Sequence, residues 1–203
     1  MDTSEIQTRR RVSAAERRDE LVEAAIIEFT RGGLHGTPVD RIARRVGIAQ
    51  PYVFSLFPSK RELFIAALER CFDHVAETFS RAAEEFDPEQ CEPGTDVLMA
   101  MGRAYVELLR SNRELLMLQL HGYAACDDEL IREHVRLRFA MLVSHVLMIS
   151  GATPERVNQF IGDGMWLNVQ AAMDVGDLSA PCDWIHSGMA QAVAAPPTDL
   201  VDR

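Results

Sequence analysis

Lysine is nearly missing from this 203-residue chain: Lys60 is the only one among 21 basic residues. Cysteine is sparse too, and Cys71, Cys91, Cys126 and Cys182 form no CxxC or other short pair. Neither a zinc knuckle nor a disulfide framework is suggested. The longest apolar-rich stretch, residues 139–149, is interrupted by Ser144 and His145. It falls short of the roughly 20 residues that cross a bilayer, so a soluble protein with no membrane partner is expected. The opening MDTSEIQTRRR has no apolar run and is not read as a signal peptide; the expected setting is the reducing cytoplasm. GxSxG, HExxH, P-loop and GxGxxG patterns do not occur. His134 and His145, eleven residues apart on one helix face, stand about 16 Å from each other, too far to share an ion. No catalytic residue, metal site or cofactor is expected, and the chain is not read as an enzyme.

What is present is a 47% hydrophobic composition, enough for a sizeable core, and a formal charge of -10 that is unevenly spread. Residues 1–70 carry 12 Lys/Arg against 10 Asp/Glu, which leaves 9 against 21 for the rest of the chain. An acidic body repels a phosphate backbone, so any nucleic-acid contact belongs to the first third.

Helical periodicity runs throughout, and no stretch alternates long enough for a strand. Leu21, Val22, Ala25, Ile26 and Phe29 stripe a first helix that Gly32 and Gly33 close, with Glu28 at the margin of the stripe. Thr37 is placed as the N-cap of a second helix, with Pro38 in its first position. Gly47 ends that helix in a left-handed cap, a short third helix starts at Gln50 or Pro51, and Ser59 with Glu62 forms a capping box for a long fourth. Beyond the linker EFDPEQCEPGT, further helices are expected over residues 96–110, 113–123, 127–149, 154–175 and 181–194. The fold class is all-α, with about nine helices. Residues 13–60 form a three-helix domain with a helix-turn-helix, residues 61–85 a connecting helix, and residues 86–195 a larger helical domain.

A helix-turn-helix reader of DNA needs a bracing helix, a tight turn and a second helix whose outer face meets base edges. Ile42, Val46, Ile48, Val53 and Leu56 provide the seam, and Gly47 the turn. Gln50, Pro51, Tyr52 and Ser55 are left facing outward, with groups suited to base-edge hydrogen bonds and thymine methyls. Thr37, Arg44, Arg45 and Lys60 are positioned for phosphates, and Arg9–Arg11 for a flexible arm along the duplex.

The run AAIIEFTRGGLHGTPVDRIARRVGIAQPYVFSLFPSKRELFIAAL, residues 24–68, resembles the N-terminal domain of the TetR family of transcriptional regulators through Phe29, Gly33, Thr37, Ile42-Ala43, Gly47, Phe57, Lys60 and Leu63. The resemblance implies a homodimer on a pseudo-palindromic operator in double-stranded DNA, and a body that binds a small ligand and loosens the grip on DNA. The function expected is a repressor released by its ligand. Phe54 and Leu56 depart from the tyrosine and histidine the family commonly has there, which keeps open an alternative: a ligand-binding or adaptor protein with a degenerate DNA-binding head.

The body offers no transferable motif. Its flexible apolar and aromatic residues, among them Met99, Tyr105, Met117, Tyr123 and Phe139, suit an adaptable ligand cavity, and Met101, Met141 and Met148 extend the same pattern. The ligand itself is not identified. Phe160, Gly164, Leu167 and Ala171 lie on a helix whose small and apolar residues suit a dimer seam. Ligand identity, operator sequence and regulated genes are not written in the chain.

Overall fold

The computed structural model describes residues 13–175, which form eight α-helices and no strand among them. The expected helix at 181–194 and the Arg9–Arg11 arm lie outside the described residues. α1 (Ala14–Gly36) opens with a complete capping box, in which Ser13 and Glu16 each accept the other's backbone N–H. Gly33, at φ 58°, breaks it within its last turns, a conformation that costs a glycine little. α2 (Val39–Val46), α3 (Gln50–Leu56) and α4 (Lys60–Glu84) follow. Ser59 accepts the Glu62 N–H and starts α4.

The body consists of α5 (Val97–Ser111), α6 (Arg113–Ala124), α7 (Glu129–Ser150) and α8 (Pro154–Ala172). Asp96, Asn112, Asp128 and Thr153 cap them in turn, each accepting from a first-turn N–H. α4 runs from the three-helix head into the body and packs on α1, α5, α6 and α7. Its buried stripe, Leu63 through Phe79, joins both parts in one continuous core. α6 meets α1 directly, so the body touches the head by two routes.

Thr37 is not the cap of α2. Pro38 holds that position and supplies no side-chain bond. Thr37 is buried, and its hydroxyl donates to the Glu28 carbonyl at 3.1 Å, which turns the chain back toward α1 rather than outward.

Candidate nucleic-acid interface and ligand cavity

The α2–α3 corner forms as its residues dictate. Gly47, at φ 72° and ψ 34°, turns the chain, and its N–H and that of Ile48 return to the Ala43 carbonyl at the end of α2. Ile42, Ala43, Val53 and Phe57 are buried, with Val46, Ile48 and Leu56 packed against them. α1 braces the far end. Arg18 donates to the Leu56 carbonyl, and its guanidinium lies 3.9 Å from the centre of the Phe57 ring.

The outer face of α3 carries Gln50, Pro51, Tyr52, Phe54 and Ser55, all exposed, with Tyr52 43% accessible. Ser55 Oγ donates to the Tyr52 carbonyl at 2.7 Å, so its proton is spent within the helix and its lone pairs remain for a partner.

The cations divide in a way the sequence did not reveal. The Arg44 side chain is 70% exposed and pairs with Asp40, one turn back on the same surface. Arg45 turns inward instead: its Nε and Nη2 donate to Glu28 Oε1 at 2.9 and 2.7 Å, while Arg41 reaches Glu28 Oε2 at 2.9 Å. Glu28 is only 4% exposed. Burial pushes its carboxyl pKa up, but the Arg45 hydrogen bonds and the charges of Arg41, Arg45 and Arg31 outweigh burial and hold it below the usual carboxylate value. Lys60 Nζ donates to the Thr37 and His35 carbonyls at 3.1 and 3.4 Å, a cation set against the carbonyl end of α1. Of the residues expected to meet phosphates, Thr37 is internal, Arg45 and Lys60 bolt the head together, and Arg44 faces out.

The body holds a half-open cavity of about 360 Å³ between α4, α5, α6, α7 and α8. Met99, Tyr105, Tyr123 and Phe139 line it as expected, together with Phe72 and Phe79 of α4. Met117 does not line it, Met101 is buried in the core, and Met141 and Met148 are exposed on α7. The floor is polar. Tyr105 Oη lies 2.6 Å from Asn168 Oδ1 and 3.2 Å from Gln119 Oε1, and Asn168 Nδ2 donates to Gln119 Oε1 at 3.0 Å. Burial pushes the Tyr105 phenol up to about 12 and the Cys71 thiol behind it also to about 12, so both stay protonated near neutrality.

The residues expected at a dimer seam turn toward the cavity within this chain. Phe160, Gly164 and Leu167 line the cavity, Phe160 stacking edge-on against Phe79 at 5.4 Å between ring centres, and Ala171 is buried. These positions, with Val157, Ile161 and Asn168, are the inward stripe of α8. The side turned outward carries Gly162, Trp166, Val169 and Met173.

Sequence reasoning missed Gln119 and Asn168, although each sits where helical spacing calls for an apolar core residue. Glu28 and Arg18 gave a weaker sign: charged residues bordering or preceding the α1 stripe.

The buried corner, its exposed α3 face and the attached helices define a helix-turn-helix protein with a helical body. Residues 21–67 match the family model described as "Bacterial regulatory proteins, tetR family". The chain is 38% identical over 65 residues to the HTH-type transcriptional activator FasR of Mycolicibacterium smegmatis, covering 32% of this chain and 30% of that protein. It is 32% identical over 90 residues to an HTH-type transcriptional repressor of Streptomyces coelicolor, 44% of each chain. These matches span less than half the length of either relative. A TetR-like transcriptional regulator from Rhodococcus sp. RHA1 shares the fold over 92% of this chain and all of that one, with TM-score 0.62 at 21% identity. Residues 21–67 therefore resemble the DNA-binding domain of that family, and the chain shares the all-helical fold of the Rhodococcus regulator.

Proposed function

We propose that this protein is a sequence-specific transcriptional regulator that represses from a pseudo-palindromic operator as a homodimer, and that a small molecule in the body cavity releases it. The observation that carries the reading is the α2–Gly47–α3 corner, whose seam packs into the core through buried Ile42 and Val53 while Gln50, Pro51, Tyr52 and Ser55 stand exposed on one face. Gln50 and Tyr52 take the base-reading role, Arg44 a phosphate role, and Arg45 and Lys60 hold the reading helix in place. Residues 13–60 act as the head, α4 as the connecting rod and the remaining helices as the effector and pairing domain.

Selection of bound sites from random duplexes, followed by footprinting, tests this. Enrichment of a two-fold symmetric motif with half-sites about one duplex turn apart is expected. Reporter output on deletion fixes the direction of control, since the similar proteins include both an activator and a repressor. One observation favours a second reading, a ligand-binding adaptor without DNA affinity: Arg18, Arg41, Arg45 and Lys60 of the head are all engaged internally. Absence of any enriched sequence selects that reading.

A further inference from the structure

Building on the reading of the cavity as the effector site, we propose that its ligand is an amphipathic molecule with an apolar, ring-sized body. It enters with an uncharged hydrogen-bond donor, a hydroxyl or an N–H, aimed at the Tyr105 oxygen.

A phenol has one proton to give and two lone pairs to receive with. The 2.6 Å contact takes the Tyr105 proton to Asn168 Oδ1, and Asn168 Nδ2 donates onward to Gln119 Oε1. Behind Gln119, the Cys71 thiol donates to the Leu115 carbonyl at 3.5 Å. The donors therefore form a one-way chain, from Tyr105 through Asn168 to Gln119. At its head the Tyr105 oxygen is left with acceptor capacity, and no described residue supplies a donor to it. Tyr105, Gln119 and Asn168 are all more than nine-tenths buried and line the cavity. A ligand hydroxyl or N–H completes the chain, whereas an ether or carbonyl oxygen meets only another acceptor.

Charge is excluded from the floor on separate grounds. Arg156 is the one basic residue in the lining, and it is exposed and paired with Asp96. An anion at the floor therefore has no counter-charge and must be desolvated unpaired. A cation at the floor meets no carboxylate, because Asp96 and Asp163 are the acids in the lining and Asp163 is exposed on α8. A positive group on the ligand remains outside, beside Asp163. Phe72, Phe79, Tyr123, Phe139 and Phe160 supply flat walls, and about 360 Å³ is at the small end of cavities that take drug-sized molecules, about 300–1,000 Å³.

Three biphenyls of matched shape test this by calorimetric titration of the full chain near pH 7: 4-phenylphenol, 4-methoxybiphenyl and biphenyl-4-carboxylate. The phenol is expected to bind about fivefold tighter than the methoxy compound, and the carboxylate most weakly. Tyr105→Phe removes the receiving oxygen and is expected to erase the preference for phenol over methoxy. Gly164→Leu fills the space in front of the Tyr105 ring and is expected to weaken all probes by at least about tenfold. If the carboxylate binds as well as the phenol, or the preference survives in Tyr105→Phe, the donor assignment is overturned while the cavity remains the effector site. If no probe binds below about 1 mM, or Gly164→Leu changes nothing, the cavity reading fails and the donor assignment with it. The ranking on the unmodified protein decides the question by itself should Tyr105→Phe not fold.

Discussion

Arg44 and Arg45 are neighbours in sequence with opposite fates, and mutating each should show it. Arg44 is held by an exposed pair with Asp40, an interaction worth about 0–1 kcal/mol, so it exchanges Asp40 for a phosphate at little cost. Arg44→Ala is expected to lower operator affinity at fixed salt and to reduce the slope of log affinity against log salt by about 1 for each head, with the melting temperature nearly unchanged. Arg45→Ala is expected to do the reverse, lowering the melting temperature through loss of the Glu28 clamp. A salt slope unmoved by Arg44→Ala removes that residue from the phosphate contacts. Tyr52 completes the outer face: its ring is exposed, so Tyr52→Phe should cost operator binding about 1 kcal/mol with no effect on folding. Glu28 ties stability to pH. Its carboxyl pKa is depressed in the folded state, so its contribution is fully present above the ordinary value of 4.5 and is lost as pH falls through the lower folded value. Glu28→Gln is expected to cost about 2 kcal/mol at pH 7, and the difference from the parent should shrink in urea titrations below about pH 4.

Among the helices, α6 is placed to carry the ligand signal. Gln119 stands at the cavity floor, and two residues on, His121 Nε2 donates to the Thr30 carbonyl of α1 at 3.1 Å. A Cβ on Gly33 would sit 2.8 Å from His121 Nδ1, in a backbone conformation already at φ 58°. The α1 break and the end of α6 are therefore fitted to each other at side-chain resolution. Gly33→Ala is expected to destabilise the protein by about 2 kcal/mol in urea unfolding, from left-handed strain together with the forced shift of His121. His121→Ala removes the tie without touching the cavity. It should leave probe affinity within about twofold while cutting the ligand-induced loss of DNA binding by about fivefold; an unchanged coupling would put the signal in α4 alone. Helix positions were legible in the sequence because apolar spacing and caps such as Gly47 and Ser59 with Glu62 are local signals. Facing was not. α8 was readable as an apolar helix with small residues, but periodicity cannot tell which neighbour a stripe packs against, so Phe160 and Gly164 were assigned to a partner when they face Phe79 and Tyr105 of the same chain. The inward turn of Arg45 was hidden for a similar reason, since it depends on Glu28, 17 residues earlier and on another helix.

At the scale of the whole molecule, the proposed two-fold pairing would have to bring two α3 helices to half-sites about 34–36 Å apart, through a surface outside the cavity. With the inner stripe of α8 facing the cavity, we propose its exposed outer stripe as the surface that meets a second copy. Gly162, Trp166, Val169 and Met173 recur there at intervals of four, three and four residues, which keeps them on one helix face. α7 presents a second exposed apolar line through Leu130, Leu137, Met141 and Met148, at intervals of seven, four and seven. Two substitutions separate these surfaces. Val169→Glu puts a charge in the middle of the α8 stripe, where burial against a symmetry mate leaves it unpaired. It is expected to give a monomer in sedimentation at micromolar concentration and to weaken operator binding by about 100-fold, because the second head no longer binds as part of the same particle. Probe affinity in the cavity should stay within about twofold, since Val169 is not part of its lining. Met141→Glu, the same charge on α7, should leave the dimer intact. A monomer from Met141→Glu and a dimer from Val169→Glu would move the seam to α7, and with it the axis about which the two heads are spaced.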